Sequence, residues 1–362
     1  MNYGAIDLHK KQSSICLGVD AQVGTDSRVF EEFELCSSRE AFTDAFAKRP
    51  RMRLLVESST ESEWVARLLE GLGHEVIVAD PNYESMYASR SRKIKTDRRD
   101  ARALCEACGR GHYRLAYRIV EPWRSVRRLL SQRCTLVRAR TAQINLTRAM
   151  LRQEGLRPPT CKTEHFAARI GAMDLPEALS ELRELVAQSC RTVRVLTRQI
   201  ARIDSKLILW EKDARVKRLC SAPGVGIVTA LAYASAIGEP KRFASSEQVA
   251  AYLGLVPGES TSSENRRVGR ITKSGDTRTR WLLVEAGWRV LRSREKDQEE
   301  AVLQLARWGR RLAARRGKSK AAVAVARKLA TRLWAMDSSG RDYEAQQVRK
   351  PRTVEPGHKR ET

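Results

Sequence analysis

The first eighty residues alternate short apolar runs with amphipathic stretches. Residues 3–8 (Y-G-A-I-D-L), 14–19 (S-I-C-L-G-V) and 28–35 read as three strands of a meander. Ser38-Arg39-Glu40 has the makings of a capped helix start leading into residues 41–47, and residues 53–57 (R-L-L-V-E) return to a strand. A helical pattern over residues 61–71 and a strand over 75–79 follow. Strands alternating with helices predict an α/β sheet.

Beyond residue 120 the period lengthens. Over residues 124–153, Val126, Leu130, Ile144 and Leu151 recur at helical spacing with arginines between them, until Pro158-Pro159 interrupts. A second long helix follows Pro176 and runs through Val186, Val193, Ile200 and Leu207. The two predict an antiparallel pair or an oligomerising coiled coil. Residues 219–238 begin a third region, in which Pro223-Gly224-Val225-Gly226 joins two apolar helical stretches like a helix-hairpin-helix. Gly224 and Gly226 would let backbone amides approach a phosphate; a plain tight turn is the simpler reading. The last helix is basic at its start, from Trp308 to Lys320. Beyond about Asp337 the chain reads as a disordered basic tail. The expected division is 1–115, an α/β domain; 116–213, long linker helices; 214–336, a mostly helical domain; and 337–362, the tail.

Charge narrows the function. The 362 residues carry a net charge of +25, with a pI near 10.2. So large a cationic excess destabilises a compact chain unless a polyanion offsets it, which points to nucleic acid. There is no apolar run near 20 residues and no secretory layout at the N-terminus, so a membrane role is not expected and the cytoplasm is. The eight cysteines include one C-x-x-C, Cys105 and Cys108, without the second ligand pair a zinc site needs. They read as reduced thiols.

Four acids stand out against that background. Asp7 interrupts an apolar strand, Glu57 ends another, and K-T-D-R-R-D-A sets Asp97 and Asp100 three apart, on one face of a helix start. A carboxylate in a core-forming strand is costly unless paired or metal-bound. Adjacent acids invite magnesium or manganese, and the lysines and arginines around them (Arg90, Arg92, Lys93, Lys95, Arg98, Arg99) would draw in a polyanion. Taken singly, Asp97 could be a helix cap, Asp7 an edge-strand residue and Glu57 a surface strand end. A second stretch, residues 251–275, places the hydroxyls Ser260, Thr261, Ser262 and Ser263 before Arg266, Arg267, Arg270 and Lys273. A serine here could face a phosphate while the cations offset charge, although most serine-rich loops are only loops.

Asp7 in Y-G-A-I-D-L-H-K, Glu57 in L-L-V-E-S-S-T and the D-x-x-D in K-T-D-R-R-D-A-R-A-L resemble the DEDD set of the "one-ten" insertion-sequence transposases, which include Piv-type invertases. G-L-V-P, a hydroxyl pair and R-R-x-G-x-I-T-K-x-G are similar to the C-terminal transposase domain of the same family. The resemblance implies a ribonuclease-H/RuvC-like N-terminal domain whose acids Asp7, Glu57, Asp97 and Asp100 hold two Mg2+ ions, with Mn2+ able to substitute. It also implies a serine nucleophile, which ungapped matching places at Ser262, with Ser260, Thr261 and Ser263 as alternatives. The implied partners are DNA, an element-encoded guide RNA and further copies of the chain in dimers and tetramers. Two departures stand out: Ser58-Ser59-Thr60-Glu61-Ser62 follows the glutamate where relatives carry a small residue, Thr, Gly and an aromatic, and Ser263 replaces a usual glycine. Rival readings are a metal-dependent nuclease or junction resolvase using the acids alone, and a non-catalytic nucleic-acid-binding scaffold.

Overall fold

A computed structural model describes residues 2–19, 29–87, 96–262, 265–293 and 300–343. The chain forms two compact units, residues 1–118 and 119–362.

The first unit is built on a mixed sheet. Strands β1 (Tyr3–Asp7), β2 (Gln12–Val19) and β3 (Val29–Cys36) form the expected antiparallel meander. Helix α1 (Arg39–Phe46) starts where Ser38 Oγ accepts a hydrogen bond from Ala41 N, and leads to β4 (Arg53–Glu57). Helix α2 (Ser62–Gly71) leads to β5 (Glu75–Ala79), and α3 spans Asp97–Arg110. The strand order is β3-β2-β1-β4-β5, with β4 parallel to both β1 and β5.

Strand alternation sorts the core into two layers. Ile6, Ile15, Leu54 and Val56 pack with Phe42, Phe46, Val65 and Leu69 of α1 and α2. Ala5, Cys16 and Leu55 face the other way, against Ala101, Leu104, Cys105 and Cys108 of α3. Burial holds the Cys108 thiol up at about 11, so it stays protonated and acts as a core residue.

The second unit opens with α4 (Trp123–Gln153), then α5 (Phe166–Gly171) and α6 (Ser180–Ile208). Side-chain contacts run in opposite directions along the two long helices: Gln143 donates to Ser189, Arg140 to Thr197 and Arg133 to Asp204. The pair is therefore antiparallel within one chain. Its far end carries its own small core, where Ile144 and Leu151 meet Phe166, Ile170, Val186 and Val193.

Helices α7 (Ala214–Cys220), α8 (Ile227–Ile237) and α9 (Ser246–Tyr252) follow. Then come a hairpin, β6 (Pro257–Ser262) with β7 (Asn265–Ile271), and helices α10 (Thr277–Arg292), α11 (Glu300–Arg316) and α12 (Lys318–Ser339). One core joins the near ends of α4 and α6 to these helices, with Tyr233 buried at its centre and its hydroxyl donating to Ala330 O. Two expectations change. The basic C-terminal helix is two helices, broken at Gly317, whose φ of +88° suits glycine. Order also runs past the expected tail boundary: Asp337 lies in α12 with its side chain 3% exposed and ion-paired to Arg215, and Tyr343 N donates to Ser221 Oγ. The remainder of the tail, 344–362, lies outside the described residues.

Candidate active site

The acids come together through register. Ile6 of β1 pairs with Val56 of β4, so the next residues, Asp7 and Glu57, end two adjacent parallel strands side by side. Both follow the alternation of Ala5 and Leu55, toward α3. Here the chain runs one way from β1 toward β2 and β3, and the other way from β4 toward β5. Such a reversal point, at the carboxyl ends of strands, is where open α/β sheets bind ligands.

Helix α3 supplies the other two acids. Thr96, not Asp97, caps it, its Oγ1 accepting from Arg99 N at 3.4 Å. Asp97, Asp100, Ala101, Leu104, Cys105 and Cys108 form one stripe at spacings of three and four, and the apolar members seat that stripe on the sheet. The first turn is thereby held over the end of β1, with Asp100 buried and Asp97 exposed.

The Asp7 side chain is 13% exposed. Burial raises its pKa above the ordinary carboxylate value; the charges of Asp100, Asp97 and Glu57 add to the rise, and His9 opposes it. All four acids therefore share one electrostatic neighbourhood. His9, which the sequence pattern did not single out, stands among them, with Nε2 3.3 Å from Asp7 Oδ2 and 3.4 Å from Asp97 Oδ1. One ligand atom from each of Asp7, His9 and Asp97 lies within 4.8 Å of the others. Crowded carboxylates whose repulsion raises a neighbour's pKa are the donor set a hard divalent cation relieves, and these residues fit one. The departure after Glu57 is closed by serines: Ser59 Oγ accepts from Glu61 N and Ser62 N, Ser62 Oγ accepts from Ser59 N, and Ser58 N donates to Ala79 O.

Of the expected basic rim, Arg98 and Arg99 are exposed on the first turn of α3, Arg98 loosely paired with Glu34 at 3.9 Å. Arg90, Arg92, Lys93 and Lys95 lie outside the described residues, as does Ser263.

The serine stretch is a β-hairpin of the second unit. Ser262 closes β6 and pairs with Asn265, Ser260 pairs with Arg267, and Thr261 with Arg266. Its base is tied shut: Thr272 N donates to Val256 O, and Lys273 N to Gly254 O. A Cβ on Gly275 would stand 1.9 Å from Tyr252 O, and one on Gly254 would stand 2.4 Å from Ser274 O. The glycines of G-L-V-P and K-x-G are thus points where two backbones touch. Arg270 is exposed, and Lys273 takes the left-handed conformation at φ +58°. In the P-G-V-G turn, Gly224 (φ +72°) lies against Ala286 O of α10. Gly226 caps α8, and a Cβ there would stand 3.7 Å from a guanidinium nitrogen of Arg289.

Comparison with known proteins shows the family. Residues 5–155 match the DEDD transposase family of IS110 type, described simply as a transposase, and residues 216–302 match the family described as "Transposase IS116/IS110/IS902 family". A Pseudomonas aeruginosa protein described as a probable family 20 transposase is 31% identical over 302 residues, covering 82% of this chain and 87% of its own length. The transposase for insertion sequence element IS1111A of Coxiella burnetii is 30% identical over 279 residues, covering 75% of this chain and 73% of its own length. That for IS1328 of Yersinia enterocolitica is 28% identical over 309 residues, covering 84% and 89%. With one family model matching its N-terminal part, another its C-terminal part, and a relative 31% identical over most of both chains, the chain belongs to the IS110/IS116 family of DEDD transposases, enzymes that act on DNA.

Proposed function

We propose that the chain cuts and rejoins the DNA of an insertion sequence through four carboxylates and a serine. The observation that carries this reading is that Asp7 and Glu57 end the adjacent parallel strands β1 and β4, while α3, which bears Asp97 and Asp100 on its first turn, packs on the same face of the sheet. The mixed sheet with its antiparallel β2 supports a ribonuclease-H/RuvC-like domain. Two Mg2+ ions held by the four acids, or Mn2+ in their place, would polarise the scissile phosphate and stabilise the departing oxygen.

The Ser262 hydroxyl attacks the phosphorus. A serine–phosphorus ester forms as the bond to a deoxyribose oxygen breaks, and the serine proton ends on that oxygen. The ester keeps the phosphodiester linkage available, so the hydroxyl of another strand can displace Ser262 and complete exchange. Arg266, Arg267, Arg270 and Lys273 offset charge on the phosphate oxygens. Lys93, Lys95, Arg98 and Arg99 grip backbone beside the acids, and the α8 start at Gly224 and Gly226 offers amides to another phosphate.

A guide RNA encoded by the element belongs to the same reading: the protein's charge suits backbone contacts, and base pairing would choose the sequence. So does assembly into dimers and tetramers, in which the acids of one subunit meet the serine of another. Leu146, Leu185 and Val195, exposed on the long helices, support a coiled-coil contact between copies. Among the described residues no helix is long and apolar enough to cross a membrane. On this reading the DNA it works on is cytoplasmic.

The test is strand processing by Ser262→Ala and Asp97→Asn with element-end DNA and Mg2+. Ser262→Ala should lose both the covalent protein–DNA adduct and exchange, and Asp97→Asn should lose cutting. Full cutting by Ser262→Ala, with no adduct in the wild type, would instead mark a nuclease or junction resolvase using the acids alone. Unchanged processing in both variants would leave a nucleic-acid-binding scaffold.

A further inference from the structure

We infer that His9 is a nitrogen ligand at the acid site, and that it turns the site's preference from Mg2+ toward transition ions such as Mn2+. The inference rests on the metal-binding reading above and adds to it which ion the chain selects.

Position comes first. Nε2 of His9 lies 3.3 Å from one Asp7 oxygen and 3.4 Å from one Asp97 oxygen, and the three ligand atoms fit within 4.8 Å. Around an octahedral ion with bonds near 2.1 Å, neighbouring ligand atoms are about 3.0 Å apart and opposite ones about 4.2 Å. The imidazole therefore stands at ligand spacing from both acids.

The loop that carries it is fastened. Beyond the end of β1, Ser37 Oγ donates to the His9 carbonyl at 2.6 Å, Ser37 N donates to Lys11 O, and Ser13 and Ser37 share a hydroxyl contact at 2.7 Å. These contacts hold the His9 backbone, the base from which the ring reaches the two acids. The His9 side chain is half exposed, so no packing demand accounts for its place between the acids.

Chemistry then decides the preference. Mg2+ takes oxygen ligands and sheds water reluctantly, whereas imidazole adds affinity for first-row transition ions, more so from Mn2+ toward Co2+. Four carboxylates alone would leave the site hard. A nitrogen beside Asp7 and Asp97 softens it.

The alternative role for His9 is that of a resident cation which merely lessens repulsion between the acids. The two roles predict opposite signs. A ligand's removal weakens Mn2+ binding, whereas a competing cation's removal tightens binding of every divalent ion.

The experiment titrates Mn2+, alone and against Mg2+, into the full chain and into His9→Ala, His9→Asn and Asp97→Asn, without DNA. Bound Mn2+ is followed by electron paramagnetic resonance, with pulsed detection of a directly bound imidazole nitrogen. Circular dichroism confirms that each variant is folded, and the exposed His9 has two replacements in case one fails. The expected result is a nitrogen coupling in the wild type that both His9 variants lose, with Mn2+ affinity down on the order of tenfold and the Mg2+ affinity changed far less. A coupling that persists in the His9 variants, its absence from wild-type protein with Mn2+ bound, or tighter binding of both ions would overturn the His9 assignment while leaving the acid site standing. Failure of the wild type to bind either ion, with Asp97→Asn no different, would overturn the metal-binding reading itself and this inference with it.

Discussion

The Asp7 carboxylate is held at a disadvantage by its surroundings. Burial raises its pKa most, and three neighbouring acids add to the rise. An acid with a raised folded-state pKa costs stability when charged. The cost is absent below the ordinary value of 3.8, grows as pH rises from there to the raised value, and is complete above it. At neutral pH, in the absence of divalent ions, Asp7→Asn should therefore stabilise the protein by on the order of 1 kcal/mol, a Tm rise of roughly 2–4 °C, while abolishing strand cutting. Calorimetry at pH 7 and at pH 4 checks the sign, since the gain should shrink at the lower pH. Asp7 and Glu57 stood out in the sequence because one interrupts an apolar run and the other closes one. His9 was not: it lies beyond the strand, where no periodicity constrains it, and only the turn back toward β2 brings it between Asp7 and Asp97.

At the scale of the element, α3 shows why a helix can be legible while its seat is not. Its start was marked by T-D-R-R-D, yet nothing in that string says which sheet face it meets; that follows from Leu104, Cys105 and Cys108 packing on Ala5, Cys16 and Leu55. Leu104→Ala should cost about 2–5 kcal/mol. Because α3 carries Asp97 and Asp100, Mn2+ affinity should fall with it, measurable at a temperature where the variant is still folded. The hairpin β6–β7 was the element least visible beforehand. Its strands hold serines, arginines and glycines in place of alternating apolar residues, and it is held by its ladder and by the backbone contacts at its base. Gly275→Ala puts a methyl 1.9 Å from Tyr252 O at a φ of +69°. The base must open, so strand exchange should be lost while Mn2+ binding to the acid site is retained, a separation that activity and metal titration together would reveal.

The whole molecule carries its charge on two units with separate cores. Scanning calorimetry in high salt should resolve two transitions, and Leu104→Ala should lower only the one belonging to residues 1–118. The net charge of +25 predicts that DNA affinity falls steeply and linearly in log–log form with salt, and that replacing Arg98 and Arg99 with alanine reduces that slope by about one to two. The two long helices were legible as a pair because their apolar spacing is sustained over about eight turns each. Their antiparallel arrangement within one chain came from contacts such as Gln143 to Ser189 and Arg133 to Asp204, which periodicity does not encode.

That pair also sets a reach. Val126 of α4 is rooted in the large helical core and Leu151 in the small one at the far end. Twenty-five residues at 1.5 Å each separate these anchors by about 38 Å. One helical turn of duplex DNA is about 34–36 Å long. The helical pair is thus a strut longer than a turn of the double helix, and a duplex lying alongside it would show the same groove to both of its ends.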